Sequence, residues 1–405
     1  MSLTEIPAAR RTWVLTRGGP LSHCITGLIV PALGGTALVQ RDAPASLFDG
    51  LVVSGLDARS LPPVLDPEQG IAHCVRSEDL AAAAAERTDV AAALVVSPTR
   101  YGAVADIRAL ADAAHASGVP LIVDESRRSP VFGRHPGLLP DALAYGADLS
   151  VSAGPPPVLR LGDGPHAELL RPLVERAVDL TRQTSCDILP ARSLAQDWDQ
   201  VLVSLETAAA IGAGVRKESR FSLVADGFGD IPGIAGADPL RIAINTDVGG
   251  VTGREAHRAL DRAGLGRAVV GATQTVITLT PGDGTEPDAE RFLDVLHALP
   301  AAAGGTEDPL RLALPEPGPR RLTLREAFFG HHRVVDCAEA VGLVSASRVT
   351  ACPPGVPVLL PGEVVTAETV AYLRLLARSR GGRIQGAADA GATTLGVVQE
   401  PTGLW

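Results

Sequence analysis

Lysine is almost absent from this sequence. Of 36 basic residues in 405, Lys217 is the one lysine and the rest are arginine. A guanidinium keeps its proton at physiological pH, so chemistry that needs an amine nucleophile has a single candidate. Aromatic residues are scarce too, 3% against 46% hydrophobic residues, so the core must be assembled from Ala, Val and Leu. The five cysteines (Cys24, Cys74, Cys186, Cys337, Cys352) contain no CxxC pair and no Cys/His cluster at zinc spacing. Such an odd, scattered set reads as free thiols, mostly buried, and no metal site is expected. Positive charge is short as well. A net charge of −10 lacks the basic face that phosphates require, so no nucleic-acid partner is expected. Long apolar runs are missing: Ala91–Val96 falls far below the roughly 20 residues that cross a bilayer, and no membrane association is expected. With no basic start followed by an apolar stretch at the amino terminus, the expectation is a cytoplasmic protein.

What is present is alternation. From Thr12 to about Leu170, short apolar runs (Trp13–Thr16, Thr36–Gln40, Ala92–Val96, Val119–Val123, Asp148–Val151) alternate with helical stretches (Leu21–Ala32, Ala45–Ser54, Asp79–Arg87, Asp106–Ser117). This rhythm predicts an α/β domain whose parallel-rich sheet is covered on both faces. Ligands of such sheets sit beyond the carboxyl ends of the strands. Residues 167–220 read as bridging helices. From Pro239 longer strands, Leu240–Thr246 and Ala268–Thr280, flank a helix at Arg254–Ala263, which is an α+β pattern. The expected organisation is a flexible tail over 1–11, a large domain with bridging helices over 12–220 and a small α+β domain over 221–301. A Gly/Pro/Glu-rich linker over 302–319 and a final segment over 320–405 follow.

Several segments, in order, carry a resemblance. They are Leu51-Val52-Val53-Ser54-Gly55, Leu61-Pro62-Pro63, Asp66-Pro67-Glu68-Gln69-Gly70-Ile71 and Ser97-Pro98-Thr99-Arg100-Tyr101-Gly102. Then come Pro120-Leu121-Ile122-Val123-Asp124-Glu125, Gly146-Ala147-Asp148-Leu149, Leu324-Arg325-Glu326-Ala327-Phe328-Phe329, Cys352-Pro353-Pro354-Gly355 and Pro361-Gly362-Glu363. Along nearly its whole length the chain resembles the ornithine/lysine/arginine decarboxylase family of fold type I pyridoxal-phosphate (PLP) enzymes. The resemblance implies a PLP-transferase-like large domain with smaller α+β carboxyl-terminal parts.

Position by position, the same resemblance implies a site stripped of its chemistry. The turn that holds the cofactor phosphate with hydroxyls and N–H groups reads Gly18-Gly19-Pro20, without hydroxyls and with one donor fewer. The ring-stacking histidine falls at Pro44 within Arg41-Asp42-Ala43-Pro44-Ala45-Ser46. Asp124, the partner of the pyridinium nitrogen, is kept, while Arg127 stands at a histidine position. The Schiff-base lysine falls at Pro156 in Ser152-Ala153-Gly154-Pro155-Pro156-Pro157. Lys217, between Arg216 and Glu218, is not expected to replace it. The implied protein is a PLP-decarboxylase-like pseudoenzyme that binds no PLP covalently and has no catalytic residues of the usual kind. It would act as a homodimer, or as a heterodimer with a lysine-containing paralogue, formed through the old active-site face.

Two alternatives stay open. Asp124 either keeps a functional role or caps a turn. Arg17, Arg100 and Arg127 either converge as an anion pocket, suited to a carboxylate or phosphate, or line a solvated rim. In the first case the old cleft serves cofactor-independent chemistry or binds an anionic, amino-acid-related metabolite. His23 and Cys24, adjacent on a helix, diverge and make no nucleophile–base pair. His331-His332 reads as surface.

Overall fold

The computed structural model describes residues 9–15, 19–127, 140–152, 157–181, 198–217, 219–281, 287–300, 313–379, 382–389 and 391–399. Its centre is a seven-stranded sheet of β1 (Arg11–Val14), β2 (Thr36–Gln40), β3 (Asp57–Leu61), β4 (Val90–Val96), β5 (Leu121–Asp124), β6 (Leu149–Ser152) and β7 (Val158–Leu161). The spatial order is β1-β7-β6-β5-β4-β2-β3. Strands β3, β2, β4, β5 and β6 run parallel, and β7 and β1 close one edge antiparallel.

The apolar alternation does what parallel strands require. In β4, Ala92, Leu94 and Val96 enter one core while Ala93 and Val95 enter the other. In β5, Ile122 faces the first core, and Leu121 and Val123 the second. Helices α1 (Gly19–Ile29), α2 (Ala45–Ser54) and α5 (Ala167–Thr181) cover the first face. Helices α3 (Ser77–Ala85) and α4 (Ile107–Ala116) cover the second. Burial of each such Val or Leu contributes about 1.5–3 kcal/mol, so the two layers rest on many small aliphatic increments.

One contact sets the site. Helices α1 and α2 cross where Gly27 meets Gly50: a Cβ on Gly27 would lie 2.5 Å from the Gly50 carbonyl oxygen. A Cβ on Gly50 would lie 2.7 Å from the His23 carbonyl oxygen. Only glycine on both sides allows this approach, and it draws the start of α2 against His23.

A second sheet, all antiparallel, orders β8 (Ser222–Leu223), β9 (Ile242–Asn245), β11 (Val276–Leu279) and β10 (Val269–Ala272). It packs with α6 (Trp198–Lys217), α7 (Gly253–Arg262) and α8 (Ala289–His297). By packing, α6 therefore belongs with this smaller sheet. The single strand expected over Ala268–Thr280 is a hairpin instead. The Thr273 N–H donates to the Val276 carbonyl (2.7 Å) and the Thr273 hydroxyl accepts from the Val276 N–H (2.9 Å), a turn that apolar patterning cannot signal. The strand expected over Leu240–Thr246 starts later, because Asp238 accepts from the Leu240 and Arg241 N–H groups in a turn.

The last segment contains α9 (Leu324–Phe329), β12 (His332–Asp336), β13 (Val349–Cys352), β14 (Val356–Leu359), α10 (Ala367–Arg378), β15 (Arg383–Gln385) and β16 (Thr394–Val398). Leu324 and Leu360 join the core under α2. Arg41, at the end of β2, anchors this segment. It donates to both carboxylate oxygens of Glu363 (2.8 Å each), to the Pro357 carbonyl (2.6 Å) and to the Ser60 hydroxyl (2.8 Å). Both ionic side chains are 5% exposed.

Candidate functional site

The site lies beyond the carboxyl ends of β2, β4 and β5. Asp124 closes β5, 3% exposed, and its Oδ1 accepts from the Ser126 N–H at 2.8 Å. His23, 2% exposed, projects from the second turn of α1. Its Nε2 lies 3.2 Å from Asp124 Oδ2, and its Nδ1 lies 2.7 Å from the hydroxyl of Ser46 in the first turn of α2. Burial pushes the Asp124 carboxyl up. The close approach and charge of His23, with the Ser126 bonds, outweigh it and hold the group below the usual carboxylate range. The order Ser46–His23–Asp124 is that of hydroxyl, base and orienting acid. In the sequence the neighbour of His23 is Cys24, whereas its partners in the fold, Ser46 and Asp124, come from other elements. The one available signal was the glycine pair, whose close approach could not be inferred from residues 23 apart.

Beside this array stand three arginines. Burial lowers Arg127 first, and the charge of Arg100 lowers it further, while Asp124 and Asp42 offset part of the effect. Arg241 is lowered by burial and by the charges of Arg127 and Arg100, against Asp238. It donates to the Arg127 carbonyl at 2.8 Å. Among the described residues, none of the three forms an ion pair with a carboxylate. Asp42, below them, is bonded by Gln40 Nε2 at 2.9 Å, and Gln40 Oε1 accepts from the Val96 N–H at 2.9 Å. Burial raises the Asp42 carboxyl, and Gln40, Arg127 and Arg100 counter it only in part. Burial pushes the Cys352 thiol up, and the charges of Arg100, Arg383 and Arg254 offset this in part. The arrangement is an excess of positive charge in which Arg127 and Arg241 are half-buried and Arg100 is exposed.

A separate buried network supports the site from behind. Arg160 donates to Glu125 (2.7 Å) and to Asp141 (3.4 Å), and Ser150 bonds the same Glu125 carboxylate. It ties β5, β6 and β7 together just below Asp124. In the sequence Glu125 and Ser150 stand only as parts of strand segments, and nothing links them to Arg160 or Asp141.

Of the residues singled out from sequence, the structure brings Asp124, Arg127 and Arg100 together. Pro44 is the N-cap of α2, and Ser152 ends β6, half-buried. Gly19 and Pro20 lie in the first turn of α1. Arg17, Gly18 and Pro156 lie outside the described residues, so the third arginine found in the pocket is Arg241. Lys217 is exposed at the last position of α6, a helix of the smaller sheet. Cys24, Cys74, Cys337 and Cys352 are free thiols, as expected, and Cys186 lies outside the described residues. His331 and His332 are exposed. A cavity of about 470 Å³ between α2, α9 and the last segment, lined by Phe48, Val52, Leu324 and Phe328, includes none of the site residues. Among the described residues no helix is long and apolar enough to cross a membrane.

The sheet order, the crossing helices and an aspartate at the end of β5 define a fold type I PLP-transferase architecture. The structure of E. coli constitutive lysine decarboxylase is similar with a TM-score of 0.72 at 17% identity, covering 96% of this chain and 71% of that one. Lysine decarboxylase A from Pseudomonas aeruginosa gives 0.71 at 15% identity, covering 96% and 70%. In sequence, the arginine decarboxylase of Bacillus subtilis is 26% identical over 363 residues, 84% of this chain and 72% of the relative. That of Bacillus anthracis is 23% identical over 383 residues, 91% and 77%. Residues 321–382 match the family described as Orn/Lys/Arg decarboxylase, C-terminal domain. Sequence and fold are thus similar to those of ornithine/lysine/arginine decarboxylases, at low identity over most of the chain.

Proposed function

We propose that this chain does not hold PLP as an aldimine. Its cleft binds a small anion bearing a carboxylate or phosphate, and the chain serves as the non-catalytic subunit of a homodimer or of a heterodimer with a lysine-containing paralogue. The observation that carries the reading is the state of Asp124. In this fold the cofactor supplies an electron sink to the substrate, with a carboxylate on its ring nitrogen. Here that carboxylate is buried with its Oδ2 3.2 Å from His23 Nε2, a charge contact without hydrogen-bond geometry. The only lysine is exposed on the helix of another sheet. The residues present do not fit a covalently held PLP. They do fit an anion, because Arg100, Arg127 and Arg241 repel one another until a negative group enters.

Added PLP is expected to leave the protein colourless, without aldimine absorbance or a borohydride-reducible adduct. A stable yellow adduct mapped to Lys217 would sink the reading. Lysine restored alone, as Pro156→Lys, is expected to leave decarboxylation absent. Light scattering at micromolar concentration is expected to give a dimer or larger, and a strict monomer counts against the subunit role.

A second reading rests on Ser46–His23–Asp124. His23 Nδ1 can take the Ser46 proton, and Asp124 Oδ2, 3.2 Å from Nε2, would support the charge that forms on the ring, which suits acyl transfer without a cofactor. A fluorophosphonate probe would then label Ser46 in the wild type and not in His23→Ala. An unlabelled wild type leaves the array a structural one.

A further inference from the structure

At the opposite edge of the sheet from the cleft, three chain-distant residues converge. Asp148 immediately precedes β6, while Ser152 at the other end of that strand belongs to the cleft. At about 3.3 Å per residue the two edges are roughly 13 Å apart. His115 comes from the last turn of α4, and His166 from the turn into α5. His115 Nε2 lies 2.8 Å from Asp148 Oδ2, and His166 Nδ1 lies 3.4 Å from Asp148 Oδ1. One donor atom from each of the three residues lies within 4.8 Å of the others.

We propose that His115, Asp148 and His166 form a divalent transition-metal site, with zinc the best-suited ion. Zinc binds imidazole nitrogen and carboxylate oxygen at about 2.0–2.2 Å, so neighbouring ligands in a tetrahedron stand about 3.3 Å apart. The two observed approaches, each to a different oxygen of the Asp148 carboxylate, lie near that edge, and small side-chain shifts would bring one donor atom of each residue, already within 4.8 Å of the others, onto a common ion. Two imidazoles and one carboxylate favour zinc, cobalt, nickel or copper over magnesium or calcium, which take oxygen ligands.

The surroundings match a ligand set. Asp148 is fully buried, and its carboxylate is oriented by the Leu121 N–H (2.8 Å) and the His166 N–H (3.2 Å), an outer shell that fixes its direction. His166 Nδ1 is buried without a hydrogen-bond partner. Such an orphaned ring nitrogen costs free energy unless something accepts its lone pair or its proton. The side chains of His115 and His166 keep 21% and 15% exposure, which leaves the fourth coordination position open to water. The metal would pin α4, β6 and the β7–α5 turn together. No sequence motif announces it, because positions 115, 148 and 166 lie on three separate elements.

The test is titration of the full-length, chelator-treated protein with Zn²⁺, and with Co²⁺ for its visible spectrum. Asp148→Asn would also disturb the Leu121 and His166 N–H bonds, so the informative variants are His115→Ala and His166→Ala. One equivalent is expected to bind the wild type, with an intense tetrahedral-type Co²⁺ spectrum lacking thiolate charge transfer. Each histidine variant is expected to bind about 10–100-fold more weakly while keeping the wild-type circular dichroism. Absence of binding at micromolar metal overturns the proposal. So does binding unchanged in both variants, or a thiolate signature that moves the site to the cysteines.

Discussion

A buried arginine, Arg41, and the half-buried pair Arg127 and Arg241 behave in opposite ways. Arg41 meets Glu363 with two parallel bonds, and its third nitrogen has the Pro357 carbonyl. Arg127 and Arg241 have each other's charge and no carboxylate partner among the described residues. Arg41 forms a joint that holds the last segment onto the large sheet, complete as it stands. The cleft arginines form a set that only an added anion completes. Both groups lie beyond the carboxyl ends of parallel strands; what separates them is that the last segment brings Glu363 to Arg41, while among the described residues no carboxylate pairs with Arg127 or Arg241.

Breaking the joint should give the largest effect. Glu363→Gln leaves the Arg41 charge buried without its counter-ion, and about 3–5 kcal/mol of stability is expected to go. Urea unfolding measures it. Replacing both partners, as Arg41→Met with Glu363→Leu, should return much of that loss. A double variant as unstable as the single one would mean that the joint works by packing rather than by charge.

The cleft should answer with the other sign. Arg127→Ala removes like-charge repulsion and keeps the carbonyl that Arg241 uses, so stability is expected to stay level or rise. Anion binding, read as thermal stabilisation by phosphate or succinate, should weaken about tenfold or more, the loss of one charge-assisted bond of roughly 1.5–3 kcal/mol. If Arg127→Ala destabilises as Glu363→Gln does, the two groups are alike and the anion pocket is lost as an idea.

The comparison also shows what a sequence can carry. The large sheet was legible because parallel strands need continuous apolar runs, and Val90–Val96 could hardly be anything else. The hairpin at Thr273–Val276 was hidden because its turn depends on a side-chain hydroxyl. Asp124, Arg127 and Arg100 were singled out through the resemblance and the strand-end rule. His23, Ser46 and Arg241 were not, since each reaches the site across elements far apart in the chain. His23 depends on the Gly27–Gly50 crossing, and Arg241 arrives from the residue before β9, an inner strand of another sheet. Long-range pairing of polar side chains leaves no periodic trace.

The smallest expected effect is a pair of opposed pH dependences within the cleft. Asp124 lies below the usual carboxylate range in the folded protein, so below about pH 3.9 the unfolded chain binds its proton first. Its contribution is therefore present above that pH and is lost as pH falls through the folded value. Asp42 is raised, so above about pH 3.9 the folded chain keeps a proton that the unfolded chain has released. Stability then declines with rising pH until Asp42 ionises in the fold. Asp42→Asn is expected to flatten that decline and leave the acid-side loss intact. Urea midpoints between pH 3 and pH 7 test the pair. Ionised Asp42 also competes with a ligand for Arg127 and Arg100, so wild-type anion affinity should fall across the same rise in pH, and less so in Asp42→Asn. Equal pH profiles for both proteins would remove Asp42 from the cleft electrostatics and leave the arginines to act alone.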